Sequence, residues 1–389
     1  MSDPSTLSDP LTKLAYQALQ QTKSVFGLTH KTLSSRVLSA IAPMGIIAPR
    51  RDSAAKPLSP ALFAKIKQRV DQLQAIDWQD AEQGIYPKEL LFDHPWGDFL
   101  RFYPIVCLDS VQIWNRANQQ QFQDFSPSVD TSGYPQYYVR NFHHQTDGYF
   151  SDFSANVYDL QVELLFNGSA DAMRRRILAP LRRSLQSFSE VAPKAVNILD
   201  VACGTGRTLR MIRGMLPQAS LHGTDLSPAY LRKANQLLSE LPGELPQLMQ
   251  GNAEELPYVE NYFHAVTCVF LFHELPAPVR QKVIEQCFRV VKPGGHFIIC
   301  DSIQMSDSPE LVPVMENFAE NFHEPFYRNY IQDDLSDRLS NAGFVDITEQ
   351  VHFMSKYWIA KKPITATTNN LANSALANEA KSSPHQTLE

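Results

Sequence analysis

No run of about 18 apolar residues occurs in the chain, so none of it reads as a bilayer-spanning helix. Cysteine is sparse and dispersed. Cys107, Cys203, Cys268, Cys287 and Cys300 form neither a C-x-x-C nor a paired Cys/His pattern, which argues against a zinc module and a disulfide scaffold. They read as reduced thiols in a cytosol-like compartment. The opening MSDPSTLSDP has two aspartates where a secretory signal carries positive charge before an apolar block, so export is not expected. No pair of carboxylates with a neighbouring His or Asn has metal-ligand spacing; the expectation is no metal and no Mg2+ requirement.

What is present is 389 residues, 43% hydrophobic and 20% charged, the composition of a globular protein with one well-decorated domain or two structural units. Over residues 1–56 seven cations face three anions, a balance of +4 in a chain whose net charge is -6, leaving -10 for the rest. A body that acidic is a poor nucleic-acid platform, and no nucleic-acid partner is expected.

Composition divides the chain into four stretches. Residues 1–56 are polar, flexible or amphipathic, and basic; Leu11, Leu14, Ala15, Ala18 and Leu19, then Leu33, Val37 and Ile41, recur at helical spacing and predict two short helices. Such a stripe either docks on the protein or lies on a membrane surface. Residues 57–189 form a mainly helical extension and substrate lid, with Ser59-Pro60 opening one helix and Tyr137–Ser151 reading as an extended segment broken at Asp147-Gly148. Arg174, Arg175 and Arg176 read as a charged helix face. Residues 190–362 alternate short apolar runs with helical segments, the pattern of βαβ units around a largely parallel sheet. Residues 363–389 are expected to be a disordered tail.

The first apolar run, Ile198-Leu199-Asp200-Val201-Ala202-Cys203-Gly204-Thr205-Gly206, ends in a glycine turn before a helix. Such a turn brings backbone N–H groups against a ligand because no Cβ intervenes. A dinucleotide site needs a third glycine, where this chain has Leu209. Asp200 at the strand end would repel a pyrophosphate, but it can pair with the cationic amino group of a zwitterionic sulfonium ligand. Asp225 ends the second run at the reach suited to ribose hydroxyls, and Asn252 and Ala253 suit an adenine edge and face.

These residues resemble the class I S-adenosylmethionine-dependent methyltransferases, particularly the ubiquinone and menaquinone C-methyltransferase branch. DVACGTG, GTDLS, GNAEELP, FLFHEL and RVVKPGGHFIICD fall in that family's order. The resemblance covers roughly residues 190–362. It implies an α/β, Rossmann-like, seven-stranded, mostly parallel sheet with one antiparallel edge strand, and S-adenosyl-L-methionine as cofactor. By the same resemblance Asp200, Gly204 and Gly206, with Ala202, Cys203 and Thr205 in the same loop, surround the methionine part. Asp225 and Leu226 take the ribose, Asn252 and Ala253 the adenine, and Phe270 lines the methyl side. Three positions depart from the pattern: Ala202 for a glycine, and Asn252 and His264 each for an aspartate.

Methyl transfer from a sulfonium is an in-line displacement, helped by a base when the acceptor carries an acidic proton. His273 and Glu274, after the fourth apolar run, are candidates, as are His143 and Tyr158 from the aromatic segment, where the family places a lid. Three functions follow. The first is methylation of a small lipophilic acceptor of quinone, isoprenoid or phenolic type, with peripheral membrane contact through residues 1–56. The second is methylation of protein or RNA, and the third is a non-catalytic cofactor-binding module.

Overall fold

A computed structural model describes residues 9–45, 47–49 and 57–364. The tail expected over residues 363–389 lies outside them from residue 365 on, as do residues 1–8 and 50–56 of the N-terminal segment.

The helices are α1 (Asp9–Ile41), α2 (Pro60–Glu82), α3 (Trp96–Gln119), α4 (Asp152–Leu165), α5 (Ala170–Arg175), α6 (Leu178–Ser184), α7 (Arg207–Met215), α8 (Pro228–Ser239), α9 (Ala277–Val290), α10 (Val312–Asn321), α11 (Tyr327–Tyr330) and α12 (Leu335–Asn341). The strands are β1 (Asn197–Val201), β2 (Ser220–Asp225), β3 (Gln247–Gln250), β4 (Phe263–Val269), β5 (Val291–Ser302), β6 (Val345–His352) and β7 (Ser355–Lys361). They form one seven-stranded sheet in the order β3-β2-β1-β4-β5-β7-β6. The first five are parallel, whereas β7 is antiparallel to both β5 and β6. The antiparallel strand therefore stands one place inside the sheet, and β6 is the edge; the expectation of an antiparallel edge strand is corrected. A short β6–β7 hairpin places β7 beside β5 and leaves β6 outermost.

The apolar runs are nearly continuous because both faces of the sheet are covered. Leu199, Val201, Val266, Phe297 and Trp358 pack on one face with α9 to α12. Ile198, Leu221, Ala265, Ile298 and Tyr357 pack on the other with α2, α6, α7 and α8.

The N-terminal region departs from expectation in one physical respect. Instead of two short helices, α1 is one helix of 33 residues, and its apolar stripe points outward and does not dock on the protein. Leu11, Leu14, Leu33 and Val37 are 49–61% exposed, while Thr12, Tyr16, Gln20 and Lys23 face the protein. Two of these have partners on the protein: Tyr16 Oη donates to Asp77 Oδ2 (2.7 Å), and Lys23 Nζ lies 3.5 Å from Glu163 Oε2. Close approach is possible at Gly168, where an added Cβ would come within 2.4 Å of Lys23 Cβ.

Two further corrections follow, the first of which shares that cause. Arg174, Arg175 and Arg176 are all buried, not a solvated face; they pair with Asp171, Asp77 and Asp80 respectively. Tyr137–Ser151 holds turns and no strand. His143, His144 and Asp147 take positive φ (54°, 57° and 61°), and the Asn141 amide bonds the backbone of Asp124 and Gln145 in place of a ladder.

Candidate donor and acceptor site

At the carboxyl end of β1 the chain turns through Ala202–Gly206 into α7. Ala202, Gly204 and Gly206 all lie in the left-handed region, at φ 56°, 53° and 81°. The departure at Ala202 is therefore a strained position where glycine would be relaxed. Gly206 is the N-cap residue of α7 and packs so closely that a Cβ would stand 3.0 Å from Ala234 Cβ.

Asp225, at the end of β2, braces this loop: Gly204 N–H donates to its Oδ2 (2.9 Å) and Ser227 N–H to its Oδ1 (2.8 Å). Burial raises its pKa, and these two N–H bonds pull it back. Asp200 is 1% exposed, and its Oδ1 accepts from Thr267 Oγ1 (2.6 Å). Burial pushes Asp200 up to about 7; the Thr267 bond opposes this and the charge of Asp225 adds to it.

A small cavity of about 100 Å³ lies over these strand ends. Ala202, Gly204, Asp225, Leu226, Asn252, Ala253 and Phe270 line it, whereas Asp200, Cys203, Thr205 and Gly206 do not. Cys203 N–H bonds Thr224 O, and Thr205 Oγ1 donates to Asp159 Oδ1. Asn252 Oδ1 accepts from Glu254 N–H (2.9 Å), which leaves one lone pair for a ligand. His264 stands at the far end of β4, where its Nδ1 accepts from Asn197 N–H; it supports the sheet, not the site.

The cavity is smaller than the roughly 300–1,000 Å³ of ordinary ligand pockets, because Tyr138, Tyr149, Tyr158 and Tyr230 cover it. The Tyr138 hydroxyl is buried without a hydrogen-bond partner, a polar atom left for a ligand. Tyr138 and Tyr230 were not singled out from sequence. The aromatic richness of residues 134–150 was the available signal for the first, and the helix after GTDLSP for the second.

A second cavity, about 1300 Å³, runs from the ends of β4 and β5 outward between α1 and α2. Val25, Leu28, Phe63, Ile66, Val70, Phe166, Met315, Phe318 and Phe353 make it largely apolar. The two cavities share Tyr158, Phe270 and Glu274 as walls. Phe270 holds φ 60°, costly for so bulky a residue, with its N–H on Cys300 O and its ring stacked on Phe166.

The candidate acid-base residues meet at that shared wall. His273 Nδ1 lies 2.7 Å from Asp301 Oδ1, and Tyr149 Oη donates to Glu274 Oε1 at 2.5 Å. His143 Nε2 is 3.8 Å from Glu274 Oε1 and 3.0 Å from Oε1 of Glu324, a residue that sequence reading missed. Burial lowers His273, but the charge and hydrogen bond of Asp301 override it, and its pKa stands at about 9. Burial pushes Glu274 up to about 7 and holds His143 down at about 3, the latter helped by His273. Burial also raises the Tyr158 hydroxyl. The adjacent His144 turns to the opposite side, towards Phe122 and His323.

This arrangement joins a strand–glycine turn–helix with an acid at the second strand end to an apolar chamber behind one shared wall. Residues 198–295 match the family model for a methyltransferase domain. Over 112 residues the chain is 33% identical to a demethylmenaquinone methyltransferase of Listeria monocytogenes, covering 28% of this chain and 46% of that protein. The chain thus spans about half the length of such relatives. A demethylmenaquinone methyltransferase of Lactiplantibacillus plantarum is 26% identical over 175 residues, 44% of this chain and 68% of that one. Among solved structures, human N-acetylserotonin methyltransferase in complex with S-adenosylmethionine aligns over 69% of this chain and 70% of its own, at 16% identity and a TM-score of 0.38. The stretch matched by that model runs from β1 to the start of β5, and the chamber is lined both by residues within it, Phe270, His273 and Glu274, and by residues on either side.

Proposed function

We propose that the chain is an S-adenosylmethionine-dependent methyltransferase acting on a small, lipophilic acceptor of quinone, isoprenoid or phenolic type. The observation that carries this reading is the common wall: a small tyrosine-covered niche at the strand ends and a long apolar chamber meet at Tyr158, Phe270 and Glu274. S-adenosylmethionine, when bound, supplies an electrophilic methyl group. Asp225 and Leu226 would hold its ribose, Asn252 and Ala253 its adenine, and Asp200 with the Gly204 turn its amino-acid end. The tyrosine cover excludes water, Phe270 screens the methyl side, and the chamber aligns an apolar acceptor against it. Glu274 and His143 stand where an acceptor proton would leave.

Incubating the purified protein with methyl-labelled S-adenosylmethionine and a total lipid extract is expected to put label into the lipid fraction. Label in protein or RNA instead, or none at all, contradicts the proposal.

Asp200 also sets an expected pH dependence. A ligand ammonium favours the carboxylate, so binding lowers a pKa that starts at about 7. Below that pH the nucleoside must displace a proton; affinity therefore rises as pH climbs towards 7 and levels off above it. Calorimetry at pH 6 in buffers of different ionisation enthalpy should register proton release, and Asp200→Asn should abolish it.

The outward stripe of α1 fits contact with a membrane surface, although no helix among the described residues is long and apolar enough to cross one. Replacing Leu11, Leu14, Leu33 and Val37 together with Gln is expected to cut sedimentation with phospholipid vesicles several-fold while leaving donor affinity unchanged. Unaltered sedimentation counts against membrane contact.

A further inference from the structure

The shared wall holds four side chains that the linear sequence keeps apart. His143 comes from the turn segment before α4, His273 and Glu274 from the end of β4, and Glu324 from the loop after α10. One ligand atom from each lies within 4.8 Å of all the others. We propose that His143, His273, Glu274 and Glu324 bind a single divalent first-row transition-metal ion at the inner end of the large cavity.

Glu324 is the observation that calls for a ligand. Its side chain is fully buried, and neither carboxylate oxygen has a hydrogen-bond partner. His143 Nε2 lies 3.0 Å from Oε1 without making a hydrogen bond, and His143 Nδ1 is likewise unpartnered. Among the described residues no Lys or Arg forms an ion pair with Glu324 or Glu274. His273 and, to a smaller extent, Arg140 act on Glu324 only through space, against the opposing charge of Glu274. A buried carboxylate in this state is costly unless a cation meets it.

The surroundings orient the set as metal sites require. A ligating histidine donates its other ring N–H to a carboxylate, and His273 Nδ1 stands against Asp301 in that way. Asp301 is fixed in turn by the N–H groups of Phe272 (2.6 Å) and Ser302 (2.7 Å). The Tyr149 hydroxyl holds one oxygen of Glu274. Two carboxylates and two neutral imidazoles balance a dipositive ion, and mixed N/O donors select Zn2+, Fe2+, Mn2+ or Co2+ over Ca2+ and Mg2+. Metal bonds of about 2.0–2.2 Å would draw the four groups inward. The ion would then stand in for the His273 proton as the positive charge at this wall.

A contrasting cluster, His94, Glu163 and Asp171, shows what an occupied charge balance looks like. Lys23 lies 3.5 Å from Glu163, and Arg207 and Arg174 lie 2.6 and 3.2 Å from Asp171, so that cluster needs no ion.

Ion binding requires neither methyl donor nor acceptor, so its test stands apart from methyl transfer. The full chain, produced without a histidine tag and stripped with chelator, is titrated with Co2+ and followed by visible absorption. One equivalent per chain is expected, with d–d bands that Zn2+ quenches. Glu324→Gln and His143→Ala should each weaken Co2+ binding at least 10-fold. Because a packing defect would also weaken binding, the Co2+-loaded wild type provides a second readout: proton NMR should show two hyperfine-shifted, solvent-exchangeable signals, one from each imidazole. Absence of stoichiometric Co2+ binding, absence of the shifted signals, or bands indifferent to both substitutions in folded protein would overturn the proposal.

Discussion

Asp225→Ala is expected to weaken binding of S-adenosylhomocysteine by about 10²- to 10⁴-fold. Each hydrogen bond from a ribose hydroxyl to a charged acceptor contributes about 1.5–3 kcal/mol, and two such bonds account for that range. The carboxylate already organises the turn by accepting from Gly204 N–H and Ser227 N–H, so part of the loss will come from a slackened loop. Asp225→Asn separates the two contributions. It keeps one acceptor oxygen but replaces the other with a donor facing an N–H group, and an intermediate loss is expected. Calorimetric titration gives both constants; a change smaller than about 5-fold for the alanine variant would remove Asp225 from the ribose site.

The second large effect concerns the scaffold. Asp77 receives Arg175 Nε (2.9 Å) and Nη2 (2.6 Å), Tyr16 Oη (2.7 Å) and Tyr86 Oη (2.7 Å), and both Asp77 and Arg175 are wholly buried. One carboxylate thus ties α1, α2, the segment before α3 and α5 together. Asp77→Ala strands a buried guanidinium and the Tyr16 hydroxyl, while Tyr86 Oη keeps the backbone carbonyl of residue 77 (2.7 Å), and a loss of about 3–5 kcal/mol is expected in urea unfolding. The diagnostic comparison is Asp77→Leu with Arg175→Met. Removing both charges should cost less than removing Asp77 alone, because no ion is left unpaired. If the double variant is no more stable than the single, the stranded charge is not the source of the loss. The α1 contact should loosen in Asp77→Ala as well, visible as faster amide exchange over residues 12–27.

The parts of this molecule that were legible in its sequence are those whose cause is local. A buried run, a glycine turn and the first residue of a helix occupy ten consecutive residues from Ile198 to Arg207, and alternation of runs and helices carries the sheet. What escaped depends on partners far along the chain. The outward stripe of α1 follows from Tyr16 meeting Asp77, 61 residues away. Burial of Arg174 to Arg176 follows from aspartates as much as 98 residues distant. Glu324 carries no local signature at all; only the loop after α10 brings it to His143. The turn segment around His143 escaped for another reason. Its aromatic content mimics a strand, but the side chain of Asn141 satisfies the backbone groups that a ladder would use.

The most direct measurement is calorimetry of the intact chain with S-adenosylhomocysteine and, separately, with a nicotinamide dinucleotide. Saturable heat at one site per chain for the first ligand and none for the second is the predicted result. Heat from the dinucleotide alone would contradict the account of the β1 turn and the acid at the end of β2.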